Sequence, residues 1–331
     1  MAIGNIPARK RGFGYDPVTR SLGVYTDGQL TASFPPTPGR TYFVNNITGS
    51  STNDGLSWGT AMDEVSTAIT ASETYRELGG VESGAAVTTN DYVRNTIIIQ
   101  GTGTAYTKLT SMASYTDIVG LGADPRGNGA GIARIGSDTV AESGVVLSST
   151  VRGLNLYNLQ FQAGLANYCW QHASIFRSRF ENCTFMTNGS ATGNPTGAFR
   201  STTAMGGVVI DDCLIGGSNC SIDTEPDTGL IIAGTHFHTC IVRDCQIYGL
   251  AGMTVASTVI ASWGSIVKDC IFGDGSQAMA ICINDDQTGG YGHIVYAGNY
   301  LLGSGVVMDV EDDGDRCIGN YEKGAVVAGN A

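Results

Sequence analysis

The 331-residue chain carries 18 Lys and Arg against 30 Asp and Glu, a net charge of -12, with 47 glycines and 42% hydrophobic residues. Glycine at roughly twice its average usage beside an ordinary apolar content excludes a disordered chain and points to many turns per unit length. The charge is uneven: residues 1–40 hold Arg9, Lys10, Arg11, Arg20 and Arg40 against Asp16 and Asp27, and the remainder, with 13 basic and 28 acidic residues, is too acidic for nucleic acid to be its main ligand.

Residues 1–40 lack apolar periodicity and end in Pro35-Pro36-Thr37-Pro38-Gly39, a composition that favours an extended, stiff segment. Phe13, Tyr15, Leu22, Val24, Tyr25 and Phe34 are more aromatic and apolar than a solvated tail needs, so the expectation is a basic arm that docks on an acidic partner surface through Arg9, Lys10, Arg11, Phe13, Tyr15 and Arg20. The opening Met1-Ala2-Ile3-Gly4-Asn5-Ile6-Pro7 has no apolar core of a secretory signal, and no apolar run reaches membrane-spanning length. Folding in a reducing cytoplasm, with the nine cysteines as free thiols, is the corresponding expectation.

From residue 41 the chain becomes strand-like, at Thr41-Tyr42-Phe43-Val44. A turn-rich segment with Gly55-Leu56-Ser57-Trp58 follows. Then Met62, Val65, Ala68 and Ile69 fall on one face and predict a helix over residues 60–78. Residues 41–94 thus read as a first strand and a capping helix, needed because the first coil of a stack would expose its apolar lumen and its strand edges. Apolar runs continue at Ile97-Ile98-Ile99, followed by Gly103-Thr104-Ala105-Tyr106, and at Ile118-Val119-Gly120-Leu121. These segments resemble the opening of right-handed parallel β-helix proteins of the pectate-lyase-like superfamily, which implies an all-β fold for residues 95–331. The likeness covers about residues 41–325 and leaves activity open.

The rest of the chain repeats one short unit: apolar, any, Asp or Asn, then Cys, Leu or Tyr, any, apolar. Its anchors are Asn158, Asn182, Asp212, Asp244, Asp269, Asn299 and Asn320, spaced by 21 to 32 residues. A repeat of that period is the mark of a solenoid. Apolar alternation on both sides of the anchor calls for strands, and Asp or Asn between them suits a left-handed bend. A strand, a tight bend and a second strand at coil length describe a parallel β-helix, here of about nine or ten coils. Cys183, Cys213, Cys245 and Cys270 follow the bend and would stack inward, since cysteine packs as a small apolar residue. The longer gaps mark loops at residues 187–207 and 219–229.

Three groups merit weighing for chemistry. Asp223, Glu225, Asp227, Asp285, Asp286, Asp309, Glu311, Asp312, Asp313 and Asp315 could align into one carboxylate strip along the coils. Such a strip could hold Ca²⁺ with a basic residue taking a proton, or hydrolyse glycosides, or be solvated surface; Arg243, Lys268 and Arg316 sit in no matched lyase motif. His236, His238 and Cys240 would share one face of a strand, as a zinc site needs, though no fourth ligand is evident. Gly127-Asn128-Gly129-Ala130-Gly131 reads as a turn, without a phosphate-loop signature.

The resemblance extends to bacteriophage virion proteins of tailspike, fibre or head-decoration type. It implies a structural protein of the virion, made in the host cytoplasm, attached to other virion proteins by residues 1–40 and working as a homo-oligomer, with a trimer as the expected form. Host-surface glycans are its expected contact. A polysaccharide lyase or glycoside hydrolase on the same scaffold, or a non-catalytic carbohydrate-binding adhesin, are the alternatives. Only three tryptophans are available to stack on sugars, which turns the balance from catalysis toward structure.

Overall fold

The computed structural model describes residues 39–79, 93–127, 129–136, 143–164, 168–186, 197–216, 228–273, 279–287, 293–303, 308–310 and 315–322, and the backbone alone of 11–16, 21–26, 29–33, 187 and 325–326. Within the first 40 residues, Arg11–Asp16, Ser21–Thr26 and Gln29–Ser33 pair as a three-stranded antiparallel sheet. Where the composition suggests an extended arm, these strands satisfy one another's backbone. Arg9, Lys10 and Arg20 fall outside the described residues.

From Thr41 onward the strands belong to three sheets, of ten, nine and eight strands; Thr41–Val44, Asn95–Gln100 and Thr116–Leu121 all lie in the ten-stranded sheet, and from Arg134–Gly136 the sheets are visited in rotation. One circuit runs from Tyr168–Phe176 in the eight-stranded sheet to Arg179–Glu181 in the ten-stranded and Thr184–Thr187 in the nine-stranded. The next runs through Gly197–Gly206, Val209–Asp211 and Leu214–Ile215. Each strand pairs in parallel with its counterpart one circuit on: Phe180 with Ile210, Thr184 with Leu214, Trp170 with Phe199. This is a parallel β-helix with three strands per coil. The repeated unit in the sequence covers only two of them. The third lies partly inside what reads as a loop at 187–207, half of which is the long strand Gly197–Gly206.

The bend between the ten- and nine-stranded sheets sets the register. Asn158, Asn182, Asp212, Asp244 and Asp269 sit there with φ of 55°, 48°, 52°, 55° and 55°. These are left-handed conformations that Asn and Asp adopt at less cost than most residues. In the last two coils the bend residue is glycine, Gly298 (φ 65°) and Gly319 (φ 61°). The alignment on Asn299 and Asn320 is therefore one residue out: both asparagines occupy the position after the bend, where they are buried. The stack running down the helix at that position is Leu159, Cys183, Cys213, Cys245, Cys270, Asn299 and Asn320.

Thiol and amide at this position both lie within reach of a carbonyl of the preceding coil. The Cys213 thiol is 3.7 Å from Phe180 O, Cys245 3.7 Å from Ile210 O and Cys270 3.8 Å from Val242 O, each also lying 3.1–3.3 Å from the carbonyl two residues before it. Asn299 Nδ2 donates to Val267 O at 3.0 Å and Asn320 Nδ2 to Tyr296 O at 3.1 Å. Each reaches the carbonyl at the centre of the preceding coil's strand in the ten-stranded sheet. A second left-handed bend enters that sheet, at Tyr115, Gly153, Arg177, Gly207, Thr239 and Gly264. Its residue types share no pattern, so the repeat does not display it.

Rings fill the lumen. Phe161 stacks on Phe185 (5.3 Å, 12°) and Trp170 on Phe199 (6.2 Å, 11°). His172 is fully buried among them and its Nδ1 accepts from Trp170 Nε1 at 2.9 Å, while Nε2 has no hydrogen-bond partner. At the amino end the helix begins later than its apolar spacing implies, at Val65–Glu77, because Ser57 accepts from Thr60 N and holds Trp58–Thr60 as a separate 3-10 turn. Val65, Ala68 and Ile69 join Tyr42, Val44, Ile97 and Ile99 in the main apolar cluster. Asn95 Nδ2, wholly buried, donates to Ser72 O at 2.8 Å and ties helix to sheet. Among the described residues no helix is long and apolar enough to cross a membrane.

Two measurements test this interior. In the native protein, Cys183, Cys213, Cys245 and Cys270 should resist iodoacetamide and become labelled only in urea, as mapped by mass spectrometry, because none is more than 1% exposed. Burial lowers the His172 pKa to about 3, so the folded state refuses a proton that the unfolded chain accepts near pH 6.5. Its contribution should therefore lower stability progressively from about pH 6.5 down to about 3, and urea titrations of His172→Leu should show a weaker acid dependence across that window.

Candidate functional site

The acidic residues do not behave as one strip. Asp285, at the end of Ile281–Asp285, is fully buried; its Oδ2 accepts from the Tyr296 hydroxyl at 2.6 Å and its Oδ1 from Gln287 N at 3.2 Å. Burial, and then the Asp285 charge, push the Tyr296 phenol well above its ordinary pKa, so it stays a hydrogen-bond donor. Asp315 is also buried, with Oδ1 accepting from Ile294 N at 2.7 Å. Asp286 lies beside Asn284 Nδ2 (3.1 Å), and Asp309 is exposed. The strip thus divides between interior and surface. Asp223, Glu225, Asp227, Glu311, Asp312 and Asp313 lie outside the described residues. Asp211 is nearly buried on the outer face of the ten-stranded sheet and accepts from both Arg179 and Arg243 at 2.6 Å, so Arg243 is engaged in an ion pair. Lys268 pairs with Asp269 at 3.4 Å, and Arg316 is exposed.

The expected face of His236, His238 and Cys240 does not form. His236 and His238 share the outer side of His236–His238, but Thr239 is left-handed (φ 51°), and this bend turns Cys240 into the core. Strict alternation holds only within a strand, and the strand ends before Cys240. Among the described residues no group of three His, Cys, Asp or Glu is placed to hold a metal ion. The Gly127–Gly131 segment flanks a turn, with Gly127 N donating to Asp124 O. Its neighbour Arg126 reaches across to Asp212, and Gln160 Nε2 holds the turn by donating to Pro125 O at 2.6 Å and Gly127 O at 3.0 Å.

A grouping on the outer surface joins residues far apart in sequence. Beside the second bend, Arg152, Phe176, Gly206 and His238 occupy the same outward position in successive coils, with Trp263 next beyond. The Arg152 guanidinium lies over the Phe176 ring (4.9 Å), Phe176 is 6.4 Å from His238, and His238 is 5.0 Å from Trp263 at 35°. Gly206 permits this spacing: a Cβ there would come within 2.7 Å of the His238 ring and 2.9 Å of Phe176. His236 stands alongside, its Nδ1 2.7 Å from Thr235 Oγ1. Burial, and then the neighbouring His236, lower the His238 pKa. Of the three tryptophans, Trp170 is core, Trp58 packs on Phe43 at 4.8 Å, and Trp263 is 51% exposed. Of the residues expected in the arm, Arg11, Phe13 and Tyr15 lie on the strand Arg11–Asp16.

Replacing Asp285 by Ala should leave the buried Tyr296 hydroxyl unpaired and cost about 1–3 kcal/mol of stability. Urea denaturation of Asp285→Ala against wild type measures that loss.

No protein-family model matches the chain, and no curated protein matches it in sequence. Among solved structures, pectin methylesterase PemA from Erwinia chrysanthemi is similar over 87% of this chain and 90% of its own, with 11% identity and a TM-score of 0.43. Pectate lyase Pel9A is similar over 87% and 81%, with 12% identity and a TM-score of 0.33. At these values neither likeness assigns an activity or a substrate to this chain.

Proposed function

We propose that the chain is a non-catalytic structural β-helix: a bacteriophage virion component of head-decoration, fibre or tailspike type, made in the host cytoplasm and held to its particle by residues 1–40. It works as a homo-oligomer, a trimer being the form that suits such rods, and presents its flank to host-surface glycans. The observation that carries this reading is the state of Asp285. Asp285, a member of the acidic strip, is instead buried and bonded to Tyr296, which takes it out of any surface groove. Hydrolysis of a glycosidic bond needs two carboxyl groups facing one space, roughly 5–9.5 Å apart. An outer face tied by Arg179, Asp211 and Arg243 favours a rod that bears load over one that turns over substrate.

Removing residues 1–40 tests the attachment. The truncated rod should keep the β-sheet circular-dichroism signal of residues 41–331, less that of the three amino-terminal strands, yet fail to co-purify with particles. Incorporation at the wild-type level would remove the basis for a virion role.

A further inference from the structure

We propose that Tyr300 and Tyr321 form a site of oxidative cross-linking, where a one-electron oxidant of peroxidase type joins the two rings as a dityrosine and staples neighbouring coils. The two residues are register partners on the outer side of the nine-stranded sheet, in a column that runs Gln246, Ile271, Tyr300, Tyr321. Their rings stack, with centroids 5.3 Å apart and planes 18° from parallel. Tyr300 is 52% exposed and Tyr321 37%, and among the described residues these are the two exposed tyrosines. Tyr42, Tyr106, Tyr157 and Tyr296 are buried, out of reach of an oxidant in solution. The phenols that such an oxidant meets are therefore a pair already placed ring on ring.

The chemistry needs both access and proximity. A peroxidase supplied with hydrogen peroxide takes one electron from each phenol, and the phenolic proton leaves to water. The unpaired electron spreads from the oxygen onto the ring carbons beside it. One such carbon of each ring joins its counterpart, and the hydrogen it carried moves to its own ring's oxygen, which restores both phenols. The two hydrogens lost reduce one peroxide to two waters. Radicals on separate molecules must meet by diffusion, whereas partners held one rung apart, about 4.8 Å, react as an intramolecular pair. Both side chains are exposed, so rotamer changes on the picosecond-to-nanosecond scale bring the ring edges together out of the stack. Inside the rod the same two coils are tied by Asn299 Nδ2 donating to Asn320 Oδ1 at 3.0 Å and Tyr321 N donating to Asn299 O at 2.8 Å. Hydrogen bonds of that kind open and re-form as a coil fluctuates. A carbon–carbon bond on the outer face does not, so oxidation fixes one coil to the next. This inference goes beyond a role on a particle and does not depend on it.

Treating the full chain with a haem peroxidase and hydrogen peroxide tests it. Dityrosine fluorescence is expected in a species that still runs as a single chain on denaturing gels. Tandem mass spectrometry should find the peptides of Tyr300 and Tyr321 joined, with the loss of two hydrogens. Tyr300→Phe and Tyr321→Phe each keep a ring in the stack but remove a phenol, and each should abolish that product. Tyr248→Phe, half-buried just beyond the strand Gln246–Ile247 of the same sheet, should leave its yield unchanged. Hydrogen exchange at the Tyr321 amide should slow several-fold in the oxidised wild type and stay as it was in peroxidase-treated Tyr300→Phe. Absence of dityrosine, its appearance only in covalent dimers, or an undiminished yield from Tyr300→Phe would overturn the proposal. A joined product whose Tyr321 amide exchanges as fast as before would overturn the stapling role.

Discussion

The structure depends on one local constraint: a residue in left-handed conformation between the ten- and nine-stranded sheets, repeated once per coil. That bend turns the following side chain inward, where Asn299 and Asn320 bond a carbonyl of the coil before. Because neighbouring coils pair in register, a slip of one residue would turn the apolar set outward and the polar set into the lumen. Asn182, whose Nδ2 donates to Asn158 Oδ1 at 3.0 Å, links two such bends directly. Sheet register, core filling and surface pattern follow from keeping this corner the same in every circuit.

This corner is also what the sequence makes legible. Asn158, Asn182, Asp212, Asp244 and Asp269 stand out because few residue types tolerate positive φ, so the same chemistry recurs wherever the geometry does. Legibility fails where glycine takes over. At Gly298 and Gly319 the neighbouring asparagines mimic the anchor, although they fill the position that cysteine holds elsewhere. The second bend is harder still, since Tyr115, Arg177 and Thr239 are held left-handed by the surrounding coil and carry no shared signature. The eight-stranded sheet was hidden for a related reason. Its strands follow loops of variable length, so they do not recur at a fixed offset from the anchor.

The candidate surface was only partly readable. His236 and His238 could be placed on one face from spacing alone, but Cys240 could not be separated from them without knowing that Thr239 ends the strand. The partners of His238 are Phe176, 62 positions earlier, and Trp263, 25 positions later. Neither has a local signal, and only parallel stacking of coils brings them together. Gly206 is the one hint in the sequence, and it becomes meaningful only once its neighbours are known. The acidic residues mislead in the opposite way: Asp285 is next to Asp286 in the chain, yet Asp285 closes its strand with its carboxylate inward and Asp286, just past the strand end, lies beside Asn284.

The amides of Asn299 and Asn320 occupy the two described rungs of the inward file that follow Cys270, and elements with less packing around them open more readily than the core. Water can replace an amide's partners when such a rung breathes, whereas an opened rung of thiols and phenylalanines would present a greasy surface to any passing chain. Opening of these two rungs therefore bares hydrogen-bonding amides where the earlier rungs would bare sulfur and ring.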